Sequence, residues 1–121
     1  AAFDIANFES YCESAANTPS RVESDYLIFS YLSINGELSI KNIWLKKIWE
    51  ITSPSARGAL KTQIKRDVIY NIRPAAWYSY NTKYDVFKTK EDFIDALYQT
   101  QNEYIGKDFK QRYLINLERG L

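Results

Sequence analysis

The chain has 121 residues, 45% hydrophobic and 26% charged, with a formal net charge of +1. That is the make-up of one globular domain, residues 1–121, with enough apolar content to bury a core. It holds one cysteine, Cys12, and no histidine or methionine, which excludes an internal disulfide, a Cys/His zinc site and every nucleophile that relies on a histidine base.

Taken in order, the apolar spacing predicts an all-α protein of five or six short helices in one compact bundle. The first helix runs through "DIANFESYCESAAN", with Asp4 as N-cap and Ile5, Phe8 and Cys12 on one face, until Asn17 and Pro19 end it. Ser20 and Glu23 form a capping-box pair that opens a second helix through Val22, Tyr26, Phe29 and Leu32, and Asn35-Gly36 turns the chain. The stretch "YLIFSYLSI" inside it is far too short to span a bilayer. A third helix from Ser39 to Ile51 carries Ile40, Ile43, Trp44, Leu45 and Ile48. Ser53 caps a fourth, with Pro54 in its first turn, which runs through Leu60, Ile64 and Val68 to Ile72 and stops at Arg73-Pro74. Residues 75–88 break the rhythm as an irregular, aromatic-rich segment. Thr89 to Asp92 reads as a second capping box, followed by a helix through Phe93, Leu97, Gln101, Tyr104 and Ile105 to Gly106; a last helix uses Phe109, Tyr113 and Leu117 and ends at Gly120.

The charge is unevenly spread. Residues 1–40 hold six acidic groups and one arginine, a local net of −5, whereas residues 41–73 hold eight basic and two acidic groups, a local net of +6. Acidic helices neutralising basic ones explain this without nucleic acid, because a dedicated binder carries a strong overall basic excess. The glycines are scattered, so there is no phosphate-cradling loop. Glu9 with Glu13, and Asp92 with Asp95, lie opposite the apolar stripes and read as solvated helix faces rather than catalytic pairs. Cys12, on an apolar stripe, reads as a structural thiol. The expectation is a protein that is not an enzyme, takes no cofactor and binds no metal.

The pattern Leu45-x-x-x-Trp49 followed by Arg57-x-x-Leu60-x-x-Gln63 resembles the periplasmic lysozyme-inhibitor family called LprI-like, with Lys46 where Asn is usual, Arg66 where Trp is usual, and the family's paired cysteines missing. The chain's start, "AAFDIANF", fits the mature side of a signal-peptide cut, and it fits simple removal of an initiator Met as well. Together these imply an exported, periplasmic immunity or inhibitor protein, monomer or weak dimer, blocking a lysozyme-like bacteriocin toxin. Such a protein would hydrogen-bond the toxin's cleft carboxylates through Trp77, Tyr78, Tyr80, Asn81, Lys83 and Tyr84, with Arg57 beside them. The alternative is a small cytoplasmic nucleic-acid-binding or protein-adaptor domain using a basic helical hairpin over residues 41–73.

Overall fold

The computed structural model describes residues 4–55, 59–75, 86–105 and 109–121. It is a mixed α/β fold with two antiparallel sheets, which overturns the expected all-α bundle. In chain order the elements are β1 (Ala6–Asn7), α1 (Phe8–Asn17), a 3-10 turn (Pro19–Glu23), β2 (Asp25–Ile34), β3 (Glu37–Lys47), a second 3-10 turn (Ile48–Glu50), β4 (Thr62–Lys65), β5 (Val68–Ile72), α2 (Lys90–Tyr104) and α3 (Phe109–Glu118). One sheet has the order β1-β5-β4; the other is the β2–β3 hairpin.

Helices stand where the two ends of the chain were expected to be helical. α1 starts later than expected: the Asn7 side chain, not Asp4, accepts the Ser10 N–H, because residues 6 and 7 are drawn into pairing with Ile72 and Asn71 on β5. Phe8 and Cys12, one turn apart, are fully buried with Ala15 and Ala16. Those two small side chains let α3 come close enough for Asn116 to donate to the Ala16 carbonyl at 2.7 Å. On the exposed flank Arg112 grips the Glu13 carboxylate with both terminal nitrogens and reaches Asn17 Oδ1 at 2.6 Å. α2 is capped by Thr89, as the Thr89–Asp92 pattern suggests, and buries Phe93 and Leu97 against Phe8, Cys12 and Ile72. Its last turn carries Gln101, buried, whose Oε1 accepts the Phe109 N–H at 3.0 Å and so caps the start of α3.

The middle of the chain is strand, not helix. Ser20 and Glu23 cap nothing: Pro19–Glu23 is a single 3-10 turn, and Glu23 pairs with Lys90 at 2.8 Å. Asn35 and Gly36, both in the left-handed region at φ 52° and 80°, make the tight turn of the long β2–β3 hairpin. Directly paired residues share a face. One face at the hairpin base, with Tyr26, Ile28 and Trp44, packs on buried Ile51 and Ala75. The other face points to solvent. The stretch expected to be a fourth helix holds instead the short hairpin of β4 and β5, which turns at Arg66 and Asp67 with φ 51° and 65°. Aspartate tolerates that conformation better than most residues, and no glycine marks it.

Two outcomes follow from this core. Gln101→Leu keeps the volume but leaves the buried Phe109 N–H without its acceptor, so urea unfolding should show a loss of about 1–3 kcal/mol. Burial, aided by Glu13 and Glu9, lifts the Cys12 thiol from its ordinary 9.0 to about 12. The unfolded chain therefore releases this proton first, and stability falls as pH climbs from about 9 toward about 12. Urea midpoints across that range should fall less steeply for Cys12→Ala than for the parent; Tyr11, Tyr26 and Tyr113, all raised by burial, keep a slope in both.

Candidate functional site

The three-stranded sheet separates an apolar face from a polar one. Thr62 pairs with Ile72 and Ile64 with Ile69, so these four share the face turned toward the helices. Ile72 is fully buried there, and Thr62 and Ile64 line a small cavity of about 80 Å³ with Leu60, Thr100 and Tyr104. By strand alternation Gln63, Lys65 and Asn71 lie on the opposite face, with Arg73 two residues beyond Asn71.

On that face Asn71 is a hub. Its Nδ2 donates to Gln63 Oε1 and to Asp4 Oδ2, each at 3.2 Å. Arg73 Nη1 lies 3.6 Å from the other oxygen of Asp4. Asn7, paired with Asn71 in the ladder, donates to the Tyr70 carbonyl and accepts from α1, which fixes the sheet edge to the helix start. The result is a row of two amides, a carboxylate and two cations on one sheet face. Lys65 at its end is exposed and has no carboxylate partner among the described residues. Such a row offers hydrogen-bond donors and positive charge, the two things a phosphate-bearing ligand needs. Among the described residues no three or more His, Cys, Asp or Glu side chains gather to hold a metal ion, and no helix is long and apolar enough to cross a membrane.

Of the residues singled out in the sequence, Trp77, Tyr78, Tyr80, Asn81, Lys83, Tyr84 and Arg57 all lie outside the described residues. The basic segment 41–73 is not one surface. Lys47 is bound to Asp25 at 2.6 Å and to the Glu23 carbonyl at 2.7 Å at the base of the long hairpin, whereas Lys65 and Arg73 belong to the other sheet. Asp4, Gln63, Lys65, Asn71 and Arg73 were not recognised together because they share a face only once β4 and β5 are strands. The alternation of polar and apolar residues in "TQIK" was the available signal.

Comparison with known proteins gives the family. The chain matches the family model described as NgoBV restriction endonuclease over residues 1–114, and it belongs to that family. It is 42% identical over 100 residues to the type II restriction enzyme NlaIV of Neisseria lactamica, covering 81% of this chain and 41% of that protein. Its identity to the type II restriction enzyme NgoBV of Neisseria gonorrhoeae is 33% over 64 residues, 53% of this chain and 37% of that one. The solved NlaIV restriction endonuclease superposes with a TM-score of 0.89 at 33% identity, covering 98% of this chain and 51% of that chain. The chain thus spans about half the length of the relatives it matches, or less.

These findings correct the functional reading. Family membership replaces the immunity or lysozyme-inhibitor protein, the toxin partner, the placing in the periplasm and the expectation of a protein that is neither an enzyme nor a partner of nucleic acid. They equally displace the alternative of a small accessory or adaptor domain built on a basic helical hairpin. The LprI-like resemblance rested on helical spacing that does not exist: Leu45 is on β3, Trp49 in a 3-10 turn and Gln63 on β4.

Proposed function

We propose that this chain is part of a type II restriction endonuclease, an enzyme that cuts DNA, and that the polar face of the β1–β5–β4 sheet holds the DNA backbone. The observation that carries the reading is the likeness to the NlaIV restriction endonuclease across 98% of the chain. The chemistry of the face supports it. Duplex DNA presents a negative charge about every 1.7 Å along its axis, and cations with amide donors beside them are the groups that meet it. Lys65 and Arg73 supply charge. Gln63, whose Oε1 is held by the Asn71 amide, supplies an amide donor whose orientation is fixed before DNA arrives, which lowers the entropy lost on binding. Asp4 holds Asn71 and Arg73 in place. Nucleases commonly use metal ions to stabilise the displaced oxygens. The role assigned here to this face is binding of the DNA backbone.

Fluorescence anisotropy with a labelled duplex across a salt series tests this. Lys65→Ala combined with Arg73→Ala should weaken binding by about tenfold or more and flatten the plot of log affinity against log salt by about 1 to 2 units, since each lost phosphate contact retains its counterion. Thermal melting should shift little, because the Asp4–Arg73 pair is half-exposed and such pairs contribute only about 0–1 kcal/mol. Unchanged affinity and slope in the folded double variant would remove this face from the DNA interface.

A further inference from the structure

The β4–β5 hairpin ends in a turn that its sequence does not favour. Lys65 pairs with Val68, so Arg66 and Asp67 alone close the turn, with φ 51° and 65°. Two consecutive left-handed residues are the backbone of a tight hairpin turn whose preferred sequence is Asn-Gly. The β2–β3 hairpin has that sequence, Asn35-Gly36, at its own turn. Arginine is ill suited to left-handed backbone, because its Cβ crowds the following carbonyl and it has no short polar group to bond the turn. Both side chains are exposed, and neither forms a hydrogen bond or ion pair with another described residue. The hairpin also leaves the core before it turns: Ile69 packs against the core, whereas Ile64 and Val68 are 42% and 52% exposed. Strained backbone that holds two opposite charges out in solvent, with no described partner for either, points to a function at the tip.

We propose, building on the reading of the adjoining sheet face as a DNA-backbone surface, that this tip reads base sequence. It enters the major groove, where Arg66 donates to O6 and N7 of a guanine and Asp67 accepts from the N4 amino group of a cytosine. The shape fits, since the major groove is about 12 Å wide and admits a two-stranded ribbon, and the hairpin is such a ribbon with its turn exposed. The charged row leads to it. Arg73, then Asn71 with Gln63, then Lys65 run along one face toward the turn, so the groups that hold phosphates set the register and depth of the tip. The carboxylate separates base reading from further backbone holding. Asp67 repels phosphates, and a tip built only to grip the backbone gains nothing from it. A base edge does offer a donor to a carboxylate, and the cytosine amino group is the usual one, just as guanine is the usual partner of an arginine.

Selection of duplexes from a pool with a randomised centre, followed by sequencing, tests this with the full chain and two variants. Arg66→Asn combined with Asp67→Gly installs the sequence that the turn prefers, so this variant should melt at or above the parent's temperature. Its selected duplexes should nevertheless lose a preference for G·C of about tenfold or more at the position that the tip reads. Asp67→Asn keeps a residue that tolerates the backbone. It should hold unselected duplex as tightly as the parent or more tightly, because a negative charge has gone, and lose the preference at the cytosine alone. A parent that binds duplexes without preference, or variants that select the same duplexes as sharply as the parent, would overturn the proposal and leave the backbone reading standing. Broadened selection in variants that melt well below the parent would also overturn it, since the turn would then act through folding. A parent that retains no duplex at low salt removes the DNA reading and this inference together.

Discussion

Three consecutive backbone carbonyls tie three of the described stretches, residues 4–55, 59–75 and 86–105, to one another. Ile51, Thr52 and Ser53 accept hydrogen bonds from Ala75 at 2.8 Å, Phe87 at 3.3 Å and Lys61 at 3.0 Å. All three acceptors are buried, where an unpaired carbonyl would cost free energy comparable to a lost hydrogen bond. Each donor sits at the start or end of an element. Lys61 leads into β4, Ala75 follows β5 and Phe87 precedes α2, so one extended stretch sets the origin of the small sheet and of the long helix together. The Thr52 hydroxyl, donating to the Ile48 carbonyl at 2.8 Å, holds the stretch itself in shape. The polar sheet face inherits its geometry from this arrangement, because Asn71 and Arg73 precede Ala75 by a few residues and Gln63 follows Lys61 by two.

The legible and illegible parts of the fold differ for a physical reason. α1 and α2 carry buried residues three and four apart with a side-chain cap in front, and nothing in a strand reproduces that combination. The central segments mimic it. The bulge at Lys41 turns a two-residue repeat into the three-residue step from Ile40 to Ile43, which is the step a helix would show. Leu60, Ile64, Val68 and Ile72 are four apart, a spacing that serves a helix face and a strand face equally well. Arg66 and Asp67 then hide the turn between them, since left-handed backbone is normally announced by glycine or asparagine. Asn35-Gly36 between β-branched and aromatic runs is the plain hairpin signal, and both residues take the left-handed backbone that the β2–β3 turn requires.

The candidate site was less legible still. Its members are spread over 4, 63, 65, 71 and 73, and what unites them is sheet pairing: β1 must reach β5 through Ala6 and Ile72 before Asp4 meets Asn71. No local motif encodes that. Attention to aromatic richness pointed at Trp77 to Tyr84, which lie outside the described residues. The helical reading of Leu45 through Gln63 pointed at a family whose pattern depends on a helix that is absent.

The two sheets also differ in what keeps them ordered. The three-stranded sheet has α1, buried Ile72 and half-buried Ile69 behind it, so its polar face is backed by the core. Among the described residues, the long hairpin is supported only at its base, through Tyr26, Ile28 and Trp44. Beyond them its arms rest on each other, and two strands alone in water are marginal. The cross-strand pairs Leu27 with Leu45 and Phe29 with Ile43 contribute a fraction of a kcal/mol to about 1 kcal/mol each, against an ordering cost of about 1–2 kcal/mol for every residue's backbone. The outer half of the hairpin is therefore less protected than the three-stranded sheet, and amide hydrogen exchange at Ser33 and Leu38 should be faster than at Ile72. Exchange near the hairpin tip as slow as at Ile72 would mean that the arms hold themselves.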